Sequence, residues 1–418
     1  MKLMTATFHP TSKSLKSRHQ RTLRHLCYPL ASLATALLLI IPAPIRAQAG
    51  SQSEQNYLVY VLSEAADKIA LVRFGRDGAK VDHEVVTGDM PVDIDGPHGI
   101  AVSPDKKFYY VSLAHGRPFG SVWKYAVKGD RVVGQTSLGL FPATMDISRD
   151  GSLLFVVNFN LHGDMVPSSV SVVATEPMIE MARIQTCAMP HGSRLNPQGT
   201  KHYSACMMDD MLVEIDTRTL KVSRHFVLAK AREKGMAGAP NATDTPSMAT
   251  SGMKQMDMGG HGMEPPKAGD LSCSPTWAQP SADGSSVFVA CNKSSDIVEV
   301  DAGRWKLARR IPAGQGVYNL AITKDGTRLV ATNKRDQSVS VIEVKTGREL
   351  ARIPTRRKVL HGVVVSPDDR YAFVSVEGVG AEPGTVEVIN LNTLKVVATV
   401  DVAEQAAGID FLGTDPQQ

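Results

Sequence analysis

One pattern recurs along most of the chain. A short apolar strand runs into a turn rich in Asp, Pro and Gly, and a second apolar strand follows. The copies are "HGIAVSPDKKFYYVS" from His98, "ATMDISRDGSLLFVVN" from Ala143 and "HGSRLNPQGTKHYSAC" from His191. They continue with "TWAQPSADGSSVFVAC" from Thr276, "YNLAITKDGTRLVATN" from Tyr318 and "HGVVVSPDDRYAFVSV" from His361. A last copy, "AGIDFLGTD" from Ala407, stops after its first strand. The starts lie 45, 48, 85, 42, 43 and 46 residues apart, so one interval holds an insertion of about 40 residues. A second hairpin, such as "DIVEVDAGRWKLARRI", follows most copies. Four strands per unit of about 45 residues is the blade of a β-propeller. The fold class is all-β. The chain between residues 50 and 97 opens with strands ("NYLVYVLSE", "KIALVRFG", "KVDHEVVT") that lack an inner partner, and "GIDFL" near the other end lacks outer ones. Joined, they complete a seventh blade, close the ring and leave no open sheet edge at the seam.

Residues 1–49 read as a secretory signal. Lys2, Lys13, Lys16, Arg18, Arg21 and Arg24 precede the apolar run "LCYPLASLATALLLIIPAPI", and Ala47-Gln48-Ala49 supplies a cleavage pattern. Pro42 and Pro44 end the apolar run early for a membrane span. Removing the segment leaves 39 Lys and Arg against 42 Asp and Glu, so the basic character belongs to the leader. Nucleic acid is therefore not expected as a partner, nor a membrane span after cleavage. The expected location is periplasmic or secreted, and residues 50–418 form the propeller.

"YYVS", "FVVN", "FVAC", "LVATN" and "AFVSV", each after a turn such as "SPD" or "KDG", resemble the YVTN-type seven-bladed propellers, related to the lactonase-like ones. The resemblance covers nearly the whole mature chain. It implies that loops entering each inner strand, and loops joining second to third strands, open on one face, the top. Aligned inner strands then give a top ring of His98, Ala143, His191, Thr276, Tyr318, His361 and Ala407. Its three imidazoles could hold one metal ion with an open position. Alternatively, duplication spread "HG" among the blades and each His only bonds its neighbour. A deeper ring holds Ala101, Asp146, Arg194, Gln279, Ala321, Val364 and Asp410. Asp146, Arg194, Gln279 and Asp410 would line the channel, with Asp146 and Arg194 expected to pair. His115, His162, "CMMDDM" from Cys206, and Asp93 and Asp95 lie on loops of the same face.

The mature chain has Cys187, Cys206, Cys273 and Cys291. In blades three and four one cysteine precedes the first strand and the other ends the second, so the expected disulfides are 187–206 and 273–291. The alternative is a soft-metal thiolate site with Met189, Met207 and Met208. The insertion, residues 231–270, is expected to be a flexible top-face loop between blades three and four. Its stretch "MKQMDMGGHGME" carries Met253, Met256, Met258, His261 and Met263 amid residues that cannot build a core. Exposed thioethers suit a soft ion such as Cu(I). The spacing resembles Met/His-rich segments of exported copper-resistance proteins. The expectation is an exported propeller that binds a transition metal, copper first, for metal handling or redox work. A lactonase-like hydrolase or metal-dependent lyase, and a scaffold for another periplasmic protein, are the alternatives.

Overall fold

The computed structural model describes residues 55–88, 94–115, 119–241, 244 and 269–416. Seven antiparallel sheets form in it, six of four strands and one of five, as a seven-bladed β-propeller. The seventh blade is built as its two half-signatures require. Ala406–Pro416 is its inner strand and pairs with Gln55–Ser63, which pairs with Lys68–Gly75 and then Gly78–Val86. An aromatic cluster packs that seam. Tyr57 and Phe74 of blade seven meet Tyr371 of blade six edge-on, at 5.0 and 4.9 Å between ring centroids. Each such buried ring contributes about 1.5–3 kcal/mol through area removed from water.

The inner strands share one irregularity. Pro97 faces Leu113, yet Ile100 faces Val111, so three residues span a step that the partner strand makes in two. The same bulge recurs in Pro142–Ile147, Pro190–Leu195, Val317–Ile322 and Leu360–Val365. A bulge reverses the side-chain alternation. It lets positions three apart, such as His191 and Arg194, both face the axis.

The glycine of each "HG" pair has a steric reason. A Cβ at Gly99 would sit 1.9 Å from the Ala143 carbonyl oxygen, and one at Gly192 would sit 2.3 Å from that of Thr276. Neighbouring blades approach there backbone to backbone. A hydroxyl clasps the junction. Ser112 Oγ accepts the Gly99 N–H at 2.8 Å and donates to the Ala143 carbonyl at 2.8 Å. Ser375 repeats this between Gly362 and the Ala407 carbonyl.

One departure from expectation concerns blade three. Residues 231–270 are not wholly a loop, because Lys234–Ala237 adds a fifth strand to the blade's outer edge. Met236 is half-buried there, against the blade's own core, rather than among exposed thioethers. Disulfides join Cys187 to Cys206 and Cys273 to Cys291, which removes the thiolate alternative. Among the described residues no helix is long and apolar enough to cross a membrane.

Candidate functional site

Two repeat columns build the top of the axis. The first is the ring already aligned, and the second lies one residue past each second strand. Its members are Glu64, Ala114, Phe159, Met207, Asn292, Lys334 and Glu377. Each donates its N–H to a carbonyl two residues before a ring position, among them Glu64 to Gln405, Lys334 to Gly316 and Glu377 to Val359. Those acceptor residues are left-handed in every blade, including Phe141, Met189 and Val359 with φ of 50°, 51° and 67°. Non-glycine residues hold such angles only where their surroundings enforce them.

The three ring histidines meet. His98 lies 6.1 Å from His191 and 5.2 Å from His361 between centroids, and Tyr318 lies 5.4 and 5.2 Å from His191 and His361. All four side chains are buried. His191 Nδ1 donates to the Thr276 carbonyl at 2.9 Å. Its Nε2 therefore carries a lone pair in the neutral ring, and Tyr318 donates to it at 3.0 Å. Burial, with the neighbouring His98 charge, lowers the His191 pKa to about 3, so the ring stays neutral. Burial, with Lys334, lowers that of His361 well below its usual value. His361 Nδ1 is buried without a hydrogen-bond partner. Its Nε2 stands 4.0 Å from Glu377.

Glu64 is buried and holds two imidazoles, His98 Nδ1 at 2.8 Å and His115 Nε2 at 3.0 Å. Burial alone would raise its pKa, but His98 and His115 outweigh burial and hold it at about 2. With Nδ1 turned to a carboxylate, His98 presents Nε2, which is buried and has no partner. Lys334 pairs with Glu377 at 2.9 Å and lies 4.2 Å over the Tyr318 ring. Burial opposes its charge, but Glu377 outweighs burial and the pKa is raised. His162 reaches only the outer side of this cluster, 5.8 Å from His115 between ring centroids.

The other expected positions divide. Asp146 and Arg194 do not form an ion pair. Asp146 instead accepts the Ile147 and Leu195 N–H groups at 2.9 and 2.7 Å. Asp410 takes the Phe411 and Val102 N–H groups at 2.8 and 2.7 Å. Gln279 only bonds the Pro280 carbonyl. Of the "CMMDDM" acids, Asp209 accepts from Ala188, and Asp210 from Cys273 and Ser274. Met189 and Met207 are buried beside Phe141 and Phe159. Asp93, Met253, Met256, Met258, His261 and Met263 lie outside the described residues. Among the described residues, no group of three or more His, Cys, Asp or Glu side chains is placed to hold a metal ion as it stands.

Sequence reasoning missed Glu64, Lys334 and Glu377. The signal was available, because the strand-two exit column aligns as cleanly as the ring column once the blades are stacked.

No protein-family model matches the chain, and no curated protein does. Solved structures share the fold. A functionally unknown protein from Desulfotomaculum acetoxidans DSM 771 matches 85% of this chain and 98% of its own, with TM-score 0.60 and 13% identity. Hydrazine synthase from Kuenenia stuttgartiensis matches 78% of this chain and 92% of its own, with TM-score 0.56 and 18% identity. At these identities the likeness concerns the fold.

Proposed function

We propose that this is an exported seven-bladed propeller of YVTN type that binds one soft or borderline transition-metal ion, copper first, at the top of its axis. His98, His191 and His361 would supply the ligands through Nε2. The observation that carries this reading is the anchoring of the rings. His191 and His98 fix Nδ1 on a carbonyl and a carboxylate, which is how proteins orient metal-ligating imidazoles. The charge agrees. Glu64 and Glu377 outnumber Lys334 beside His191 and His361, which burial keeps neutral, an environment that favours a cation.

The Tyr318 hydroxyl holds the His191 lone pair. Loading therefore requires it to swing away and the three rings to close on the ion. The methionines and His261 of the insertion would hand over the ion as soft, exchangeable donors.

Elemental analysis of protein made in copper-replete medium tests this. We expect about one ion per chain in the wild type, none in the triple variant His98→Ala, His191→Ala, His361→Ala, and tighter retention against a chelator in Tyr318→Phe. Wild-type protein without metal above background, or a triple variant that keeps its ion, would remove the proposal.

A second reading rests on the Glu64–His98 pair. A carboxylate-anchored imidazole with a free Nε2 is also the arrangement of a general base, as a lactonase-like hydrolase or a lyase would use. Turnover of a lactone by metal-free protein, abolished in His98→Ala, would favour it. The scaffold reading has one observation of its own. Ile94, Phe119, Leu140, Met165 and Val166 are exposed on top-face loops of blades one and two.

A further inference from the structure

Directly under the imidazoles lies a small cavity of about 30 Å³, bounded by His98 and His361 above and by Arg194, Trp277 and Asn319 below. That is room for one or two water-sized guests. Its polar lining is under-used. Trp277 Nε1 is buried and has no partner. The Asn319 side chain makes no hydrogen bond, and its Oδ1 is buried without one. Arg194 reaches only carbonyls, Ser193 at 2.9 Å and Met145 at 3.5 Å, both through Nη1. No carboxylate among the described residues pairs with it. Its guanidinium is stacked 4.5 Å over the Trp277 ring, which fixes the plane in which its remaining N–H groups point. The nearby carboxylates do not compete for them, since both oxygens of Asp146 and both of Asp410 hold backbone N–H groups.

Tryptophan and arginine side chains are donors only. A buried indole N–H left without an acceptor is destabilising. The missing partner must accept several hydrogen bonds, must be compact, and must sit beside a guanidinium whose N–H groups no described carboxylate takes. We propose that this cavity is a site for a single small inorganic anion of halide size, held by Trp277 Nε1–H and the Arg194 guanidinium, with the Asn319 amide turned to offer an N–H. Arg194 is half-buried, which leaves the anion a way in along the channel from the face opposite the histidines. The site is separate from the metal reading. It uses no imidazole as a ligand and stands whether or not the ring above it is loaded.

Thermal melting of chelator-treated full-length protein tests it, with sodium bromide against sodium gluconate at equal ionic strength. The expected result is a saturable rise in melting temperature with bromide only. Trp277→Phe keeps an aromatic ring beneath Arg194 while removing the indole N–H with part of the ring system, so it should weaken the apparent bromide affinity about tenfold. Arg194→Gln should abolish the response. If Arg194→Gln does not fold, Trp277→Phe decides alone. An anomalous bromide peak between Trp277 Nε1 and Arg194 in a soaked crystal is the structural counterpart. Coincident bromide and gluconate curves in the wild type, or a wild-type response in Trp277→Phe, would overturn the site. Metal content is a different readout, so neither result bears on the imidazole ring.

Discussion

The same inner strands carry two polar rings, three residues apart, and the rings behave differently. In the upper one, His98, His191, Tyr318 and His361 touch one another, and backbone or carboxylate partners set their orientation. In the lower one, Asp146 and Asp410 point away from chemistry and act as clasps. Each closes its own bulged strand and takes an N–H from the next blade, Leu195 in one case and Val102 in the other. Polarity along a channel is thus a poor guide to function. What distinguishes a site is the hydrogen-bonding capacity left over once the backbone has been satisfied. The upper ring leaves His98 Nε2, and the lower one leaves Arg194 with Trp277.

The sharpest way to break this contrast is to remove a clasp. Asp146→Ala strands the part-buried N–H groups of Ile147 and Leu195, so urea unfolding should show a loss of up to about 4 kcal/mol. Asp410→Ala should resemble it. A near-neutral Asp146→Ala would mean that the lower carboxylates are not structural and that the two rings do not differ in kind.

Next in size is Glu64, the one carboxylate of the upper level that anchors two imidazoles. Its pKa falls from 4.5 to about 2 on folding, so the folded state favours the ionised form. That stabilisation, about 3 kcal/mol, is present above pH 4.5 and is lost as pH falls through about 2. Glu64→Gln should therefore be less stable than the wild type by about that amount at pH 7, with the two converging near pH 2. A constant difference across that window would show that Glu64 contributes through packing and not through charge.

The order in which these features became visible follows their physics. The ring count, the seam of Ala406–Pro416 with Gln55–Ser63, and both disulfides were legible because one strand register recurs in seven blades and places each of them. The meeting of His98, His191 and His361 was legible for the same reason. The pairing of Asp146 with Arg194 was a guess from charge, and it failed because two backbone N–H groups outbid one guanidinium. Glu64, Lys334 and Glu377 align one residue past each second strand, but their column also holds Ala114, Phe159 and Met207, so its mixed character masked the charged members. Lys234–Ala237 was hidden too, because four residues with a glycine give no periodicity and pair only once an open strand edge is beside them.

The smallest effect comes from a histidine outside both rings, and it tests what burial does without anchoring. His202, in the second strand of blade three, is fully buried and stacked 5.0 Å from Phe155, and neither ring nitrogen has a partner. Burial, with the Arg194 charge, lowers its pKa from 6.5 to about 3. Below pH 6.5 the unfolded chain takes a proton there and the folded one does not, so this residue removes about 1.4 kcal/mol of stability per pH unit. His202→Leu lacks the term. Relative to the wild type it should gain about 2 kcal/mol between pH 7 and pH 5, read from urea midpoints at each pH. His191 has a similarly low pKa, yet its nitrogens serve a carbonyl and a tyrosine, so His191→Leu should gain the same pH term while stranding the Tyr318 hydroxyl. Its curve should run parallel to that of His202→Leu and lie below it. Coincident curves would mean that the upper-ring hydrogen bonds add nothing to stability, and that the imidazoles are set apart by position alone.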